Sequence, residues 1–104
     1  MDISVLHSKA ETAAGFLKQL ANANRLAILC ELAQGERSVG ELEAVVGLSQ
    51  SALSQHLARL RGARLVATRR EAQTIYYSLA DPGVTRIIGV LYELYCRPAR
   101  HRRA

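Results

Sequence analysis

Cysteine is scarce: Cys30 and Cys96 are the only two in 104 residues. A pair so far apart excludes a disulfide scaffold, a CxxC redox motif and a zinc knuckle, and leaves any joint role to the fold. No stretch approaches the roughly 18 uninterrupted apolar residues that a membrane helix needs. The opening MDISVLHSKAETAAGF lacks the basic-then-apolar layout of a secretory leader, so a cytoplasmic protein is expected. Repeats, long linkers and low-complexity runs are also missing. Residues 1–104 therefore read as a single domain with a basic tail, 97–104, that is expected to be mobile.

Negative charge is in short supply as well. Asp and Glu total 9 against 14 Lys and Arg, for a net charge of +5 and a pI near 9.8. Such a balance suggests an acidic partner, with nucleic acid ahead of an anionic membrane, and says nothing of fold. A chain this short buries only part of its surface, and a second copy would supply missing core.

What is present is mostly helical. Val5, Leu6, Ala10, Ala13, Ala14, Phe16, Leu17 and Leu20 recur at three and four over residues 4–20, a first helix. Asn22 or Asn24 caps a second through about Ala33, with Leu26, Leu29, Cys30 and Ala33 on one apolar face and Gly35 as the stop. Ser38 and Glu41 match a capping box for a short third helix carrying Leu42, Val45 and Val46, which ends in a turn at Gly47. Ser49 caps a fourth helix to about Arg61, with Leu53, Leu57 and Leu60 inward and Ser51, Gln55, Ala58 and Arg59 outward.

Two β-rich runs, 65–70 and 74–79, follow, joined by Glu71, Ala72 and Gln73 as a hairpin whose Ile75, Tyr77 and Leu79 share a face. Asp81 then Pro82 opens a fifth helix to about Cys96. That helix is apolar over more of its circumference than one small core can cover, so a second surface, another subunit, is implied. The fold class is mainly α with a β-hairpin wing: a winged helix-turn-helix of five helices.

Residues 38–79, SVGELEAVVGLSQSALSQHLARLRGARLVATRREAQTIYYSL, thus run helix, tight turn, helix and basic hairpin. A helix fits the major groove, where short polar side chains reach base edges. Ser51, Ser54 and Gln55 are the candidate base readers, Gln50 is a further candidate DNA contact, and Arg59, Arg61 and Arg64 suit phosphates. Arg69, Arg70, Gln73 and Thr74 at the hairpin tip could reach the adjacent minor groove or backbone. His56, beside Leu57, reads as a packing or capping residue, and Tyr76, Tyr77, Tyr92 and Tyr95 read as packing.

SQSALSQHLARLR followed by LVATRREAQTIYYSL, preceded by ANANRLAILCELAQGERSVGEL, resembles the ArsR/SmtB family of dimeric winged-helix repressors over nearly the whole chain. The resemblance implies a homodimer built on the first and fifth helices and a two-fold symmetric double-stranded DNA operator overlapping the repressed promoter. Metal-sensing members carry a Cys-Val-Cys type sequence at the third helix. Here that position holds Ser38, Val39 and Gly40. A second metal-binding pattern, Asp and His on the fifth helix, meets Asp81, Pro82 and Gly83, with no histidine between His56 and His101. No metal and no cofactor are expected, since a zinc or arsenic site needs three or four soft or imidazole ligands.

Cys30 in RLAILCEL and Cys96 in LYELYC resemble instead the paired cysteines of the BigR, SqrR, YgaV and HlyU-like branch. That likeness implies sensing of persulfides or oxidants through a disulfide or polysulfide link. A disulfide needs Cα atoms about 4.4 to 6.8 Å apart, and each inserted sulfur adds up to about 2 Å of reach. Cys96 at a helix C-terminus is disfavoured as thiolate by the helix dipole and favoured by Arg97, Arg100, Arg102 and Arg103. Cys30 on its apolar stripe is expected to be a poor nucleophile, and the plain alternative is two inert core cysteines. Competing functions are a metal-responsive repressor and a switchless DNA-binding anti-repressor. An enzyme is not expected, because neither thiol has a nearby base in sequence.

Overall fold

The computed structural model describes residues 1–97; the expected mobility of the tail, and the influence of Arg100, Arg102 and Arg103 on Cys96, lie outside them. The chain begins with α1 (Ile3–Ser8) and α2 (Ala10–Leu20). These replace the one long first helix read from apolar spacing. The Ser8 hydroxyl donates to the Val5 carbonyl at 2.6 Å, a local bond that competes with the helical ladder, and Lys9 turns out of helical geometry. The described residues therefore hold six helices where five were expected.

The other helices start where their caps predict. Asn22 accepts from the backbone N–H of Asn24 and Arg25 to open α3 (Ala23–Ala33). Ser38 and Glu41 form the reciprocal capping box of α4 (Val39–Val46), at 3.1 and 2.8 Å. Gly47 closes α4 at φ 76°, left-handed backbone that suits glycine. Ser49 caps α5 (Gln50–Gly62). Asp81, followed by Pro82, caps α6 (Pro82–Tyr95), which Cys96 ends.

Three strands form one antiparallel sheet in the order β1-β3-β2, from β1 (Arg37–Ser38), β2 (Val66–Glu71) and β3 (Thr74–Leu79). The hairpin register pairs Glu71 with Thr74, so the turn is Ala72–Gln73 and tighter than expected. Ala72 has φ 56°, the conformation a two-residue hairpin turn demands. The short β1 is not foreshadowed in the sequence. It pairs Arg37 with Tyr77 and Ser38 with Tyr76, and Ser38 is at once strand end and helix cap.

The core gathers Leu20, Ile28, Leu29, Leu32, Leu42, Leu53, Leu57, Leu60, Leu65, Val66 and Val84. Leu53, Leu57 and Leu60 face inward as their spacing predicts. Val45 does not; it is exposed, and α4 is anchored by buried Leu42 with Val39 and Val46 packed against the core. Ile3, Val5, Leu6 and Leu17 near the N-terminus, and Val90, Tyr92, Leu94 and Tyr95 on α6, remain exposed in the single subunit. Tyr92 and Tyr95, expected on an interface of the last helix, are exposed in the single subunit.

Candidate DNA-reading surface and cysteine pair

The outward face of α5 is polar because its apolar positions are spent on the core. Gln50, Ser51, Ser54, Gln55, Arg59 and Arg61 are all exposed, as are Arg69, Arg70, Gln73 and Thr74 on the hairpin. An open cleft of about 900 Å3 runs between the start of α4, the outer face of α5 and the hairpin turn. It brings together Gln50, Ser54, Arg61, Gln73 and Thr74, with Glu43 and Ala58. Ser51, Gln55 and Arg59 lie on the helix outside that lining. His56 is half-buried beside the core leucines.

Arg69 stands apart from the other expected contacts. Its Nε and Nη2 donate to the two carboxylate oxygens of Glu36, each at 2.8 Å, and its Nη1 to Glu71 at 3.4 Å. Its guanidinium also lies 4.4 Å from the centre of the Tyr76 ring. Hydrogen bonding to Arg69 pushes the Glu36 carboxyl below its ordinary value, and the same bond pushes Arg69 up. Arg59, Arg61, Arg64 and Arg70 have no carboxylate partner among the described residues.

Cys30 departs from its expected place. The buried face of α3 is Arg25, Ile28, Leu29 and Leu32, so the stripe with Leu26, Cys30 and Ala33 is not the core face. Arg25 belongs to that buried face, and its Nε and Nη2 donate to the Gln19 and Lys18 carbonyls at the end of α2, at 2.7 and 3.2 Å. Those bonds tie the buried first turn of α3 to the end of α2, and on this helix Cys30 faces out. Cys30 and Cys96 are both free and exposed, which removes the reading of two inert cysteines in the subunit core. Partial burial pushes the Cys30 thiol up, and the charges of Cys96 and Glu31 push it the same way. Cys30 lies on α3 and Cys96 ends α6, and these two helices pack against each other. Just beyond, Arg97 is held by Glu93 at 2.6 Å.

The family model described as "Bacterial regulatory protein, arsR family" matches residues 22–68, from the cap of α3 into β2. The nodulation protein NolR of Rhizobium meliloti is 56% identical over 89 residues, 86% of this chain and 73% of that protein. The chain belongs to the ArsR family. The crystal structure of the transcriptional repressor BigR from Xylella fastidiosa superposes with a TM-score of 0.90 at 37% identity, covering 94% of this chain and all of that one. A homodimeric winged helix-turn-helix DNA-binding domain from Mycobacterium bovis superposes at 0.74 with 30% identity, covering all of this chain and 95% of that one.

This ArsR-family chain is a transcriptional regulator and not an enzyme. Among its described residues no group of three or more His, Cys, Asp and Glu is placed to hold a metal ion. Two of its important residues escaped the sequence reading. Arg25 reads as one more charge in a helical first turn, and Glu36 as a loop residue after Gly35. Their partners lie in other elements, and nothing in their immediate neighbours announces them.

Proposed function

We propose that this protein is a homodimeric repressor that binds a two-fold symmetric DNA operator and releases it when Cys30 and Cys96 become linked by a disulfide or polysulfide. The observation that carries the switch is the pair of free, exposed thiols on two helices that pack together, one on α3 and one ending α6. The likeness to BigR, a transcriptional repressor, supports the output.

Reading of DNA falls to Gln50, Ser51, Ser54 and Gln55 at base edges, with Arg59, Arg61, Arg70, Gln73 and Thr74 on backbone or minor groove. The exposed apolar faces near the N-terminus and on α6 support the dimer, as does the homodimeric neighbour. A radius of gyration of 15.5 Å, against about 13 Å for a compact domain of this length, fits a subunit whose outer helices await a partner.

The chemistry is self-sufficient once a persulfide arrives. Each thiolate attacks the outer sulfur of a small-molecule persulfide, releasing the parent thiol and leaving a cysteine persulfide. Two such groups condense to a trisulfide and expel hydrogen sulfide. With peroxide, one thiol becomes a sulfenic acid with loss of water, and the second thiol displaces hydroxide to give the disulfide. Both routes join α3, which abuts the reading head, to the helix carrying the apolar outer face.

The test uses a duplex selected for binding from a random pool, with the protein exposed separately to glutathione persulfide, hydrogen peroxide and zinc. Mass spectrometry is expected to find bridging sulfur together with loss of DNA affinity, and Cys30→Ser or Cys96→Ser is expected to abolish both. Release of DNA from either serine variant by persulfide would sink the switch, and release by stoichiometric zinc would favour metal sensing.

A further inference from the structure

We propose that Arg69 is a positioning residue that sets the angle of the wing through Glu36, and that it makes no phosphate contact of its own. The inference rests on the DNA-reading surface proposed above and assigns work within it.

In the sheet order β1-β3-β2, Arg69 on β2 pairs with Tyr76 on β3, and Tyr76 pairs with Ser38 on β1. The three residues form one row across all strands. Glu36 precedes Ser38 by two positions, so it projects on the same side of the extended chain. The Arg69 side chain crosses that row over the Tyr76 ring and closes on Glu36 with two parallel bonds of 2.8 Å. The latch therefore ties the outermost strand to the segment that becomes the capping box of α4.

Every nitrogen of that guanidinium has a carboxylate partner, and one of its faces rests on an aromatic ring. A planar fork engaged bidentately is the geometry for which arginine and lysine are not interchangeable. Arg70 is the contrast: it is the next residue, points to the opposite side of β2 as alternation requires, and has no carboxylate partner among the described residues.

Binding of Glu36→Gln, Arg69→Lys, Arg69→Gln and Arg70→Gln to the selected duplex, each over a series of salt concentrations, separates the roles. Arg69→Lys keeps the charge and loses the fork, and it is expected to weaken specific binding several-fold. Glu36→Gln is expected to do the same although it removes a negative charge from a DNA-binding protein. Neither Arg69 variant should change the salt slope, whereas Arg70→Gln should lower it by about 0.9, one phosphate contact. Arg69→Lys at full affinity, a slope reduced in Arg69→Gln, or tighter binding by Glu36→Gln would overturn the proposal.

Amide exchange without DNA guards against failure of the docking itself. Glu36→Gln and Arg69→Lys should speed exchange across residues 70–74 at unchanged melting temperature, and unchanged exchange there sinks the latch even if DNA binding falls. Should exchange quicken while Arg70→Gln leaves both affinity and slope intact, the latch stands and the wing's contact with DNA does not.

Discussion

Cys30 lies on the outer face of a helix whose first turn is pinned from within. Arg25 reaches back to the carbonyls of α2 from the buried face of α3, and Cys30 lies on the outer surface of the same helix. The thiol is exposed yet raised above its ordinary value, by burial first and then by Cys96 and Glu31. Its ionisation is accordingly displaced toward higher pH. Alkylation of Cys30 by iodoacetamide, followed by peptide mass spectrometry across pH, should accelerate at higher pH than a cysteine in an unfolded peptide, and Cys96→Ser should shift that profile downward. The first direction follows from the raised thiol, the second from removing one of the charges that oppose its ionisation. The face on which Cys30 sits was not legible in the sequence, because α3 is apolar enough to offer two candidate faces and the choice depends on contacts with other elements.

Elements whose ends are set by neighbours in sequence were legible. Ser38 with Glu41, Ser49, Asp81 with Pro82, and Gly47 each act within three residues, so their side chains announce the boundary before any tertiary contact exists. The break at Lys9 and the strand β1 were not, since one depends on a hydroxyl turning back on its own helix and the other on a distant partner strand. At the far end of α5 the local signal is wrong for the structure it forms. Leu65 N–H bonds the Leu60 carbonyl across Arg64, which sits at φ 63° in the left-handed position that glycine prefers. Arg64→Gly should relieve that strain, stabilising the fold by about 0.5–1 kcal/mol and raising the melting temperature by a few degrees. A drop in melting temperature would mean that the arginine side chain contributes more than its backbone costs. If Arg64 also holds a phosphate, the same variant will bind DNA more weakly while melting higher.

At the scale of the whole molecule the apolar residues divide into two populations. One closes the core around Ile28, Leu42, Leu53 and Leu60; the other lies open near the N-terminus and on α6. That excess was legible in the sequence as a fifth helix with too much apolar circumference, although which residues it comprised required the fold. Leu94→Glu places a charge in the second population without touching the first. The expected outcome is a folded monomer by sedimentation, with unchanged helicity and DNA affinity reduced toward that of a single half-site. A dimer that survives the substitution would move the interface elsewhere.

Ser38 is the last residue of a strand and the first cap of a helix, paired with Tyr76 on one side and bonded to Glu41 on the other. Chain length is therefore rationed unevenly along this molecule. An added residue at the Ala72–Gln73 turn would merely lengthen a loop, and one near Gly35 would spread into an unpaired bend. An added residue between Ser38 and Glu41 would force a choice between sheet register and helix cap, and the wing and the reading helix would part company. Insertions and deletions among relatives should consequently crowd the hairpin tip and spare this four-residue joint, so that variation in what the wing touches leaves the angle at which it is presented unaltered.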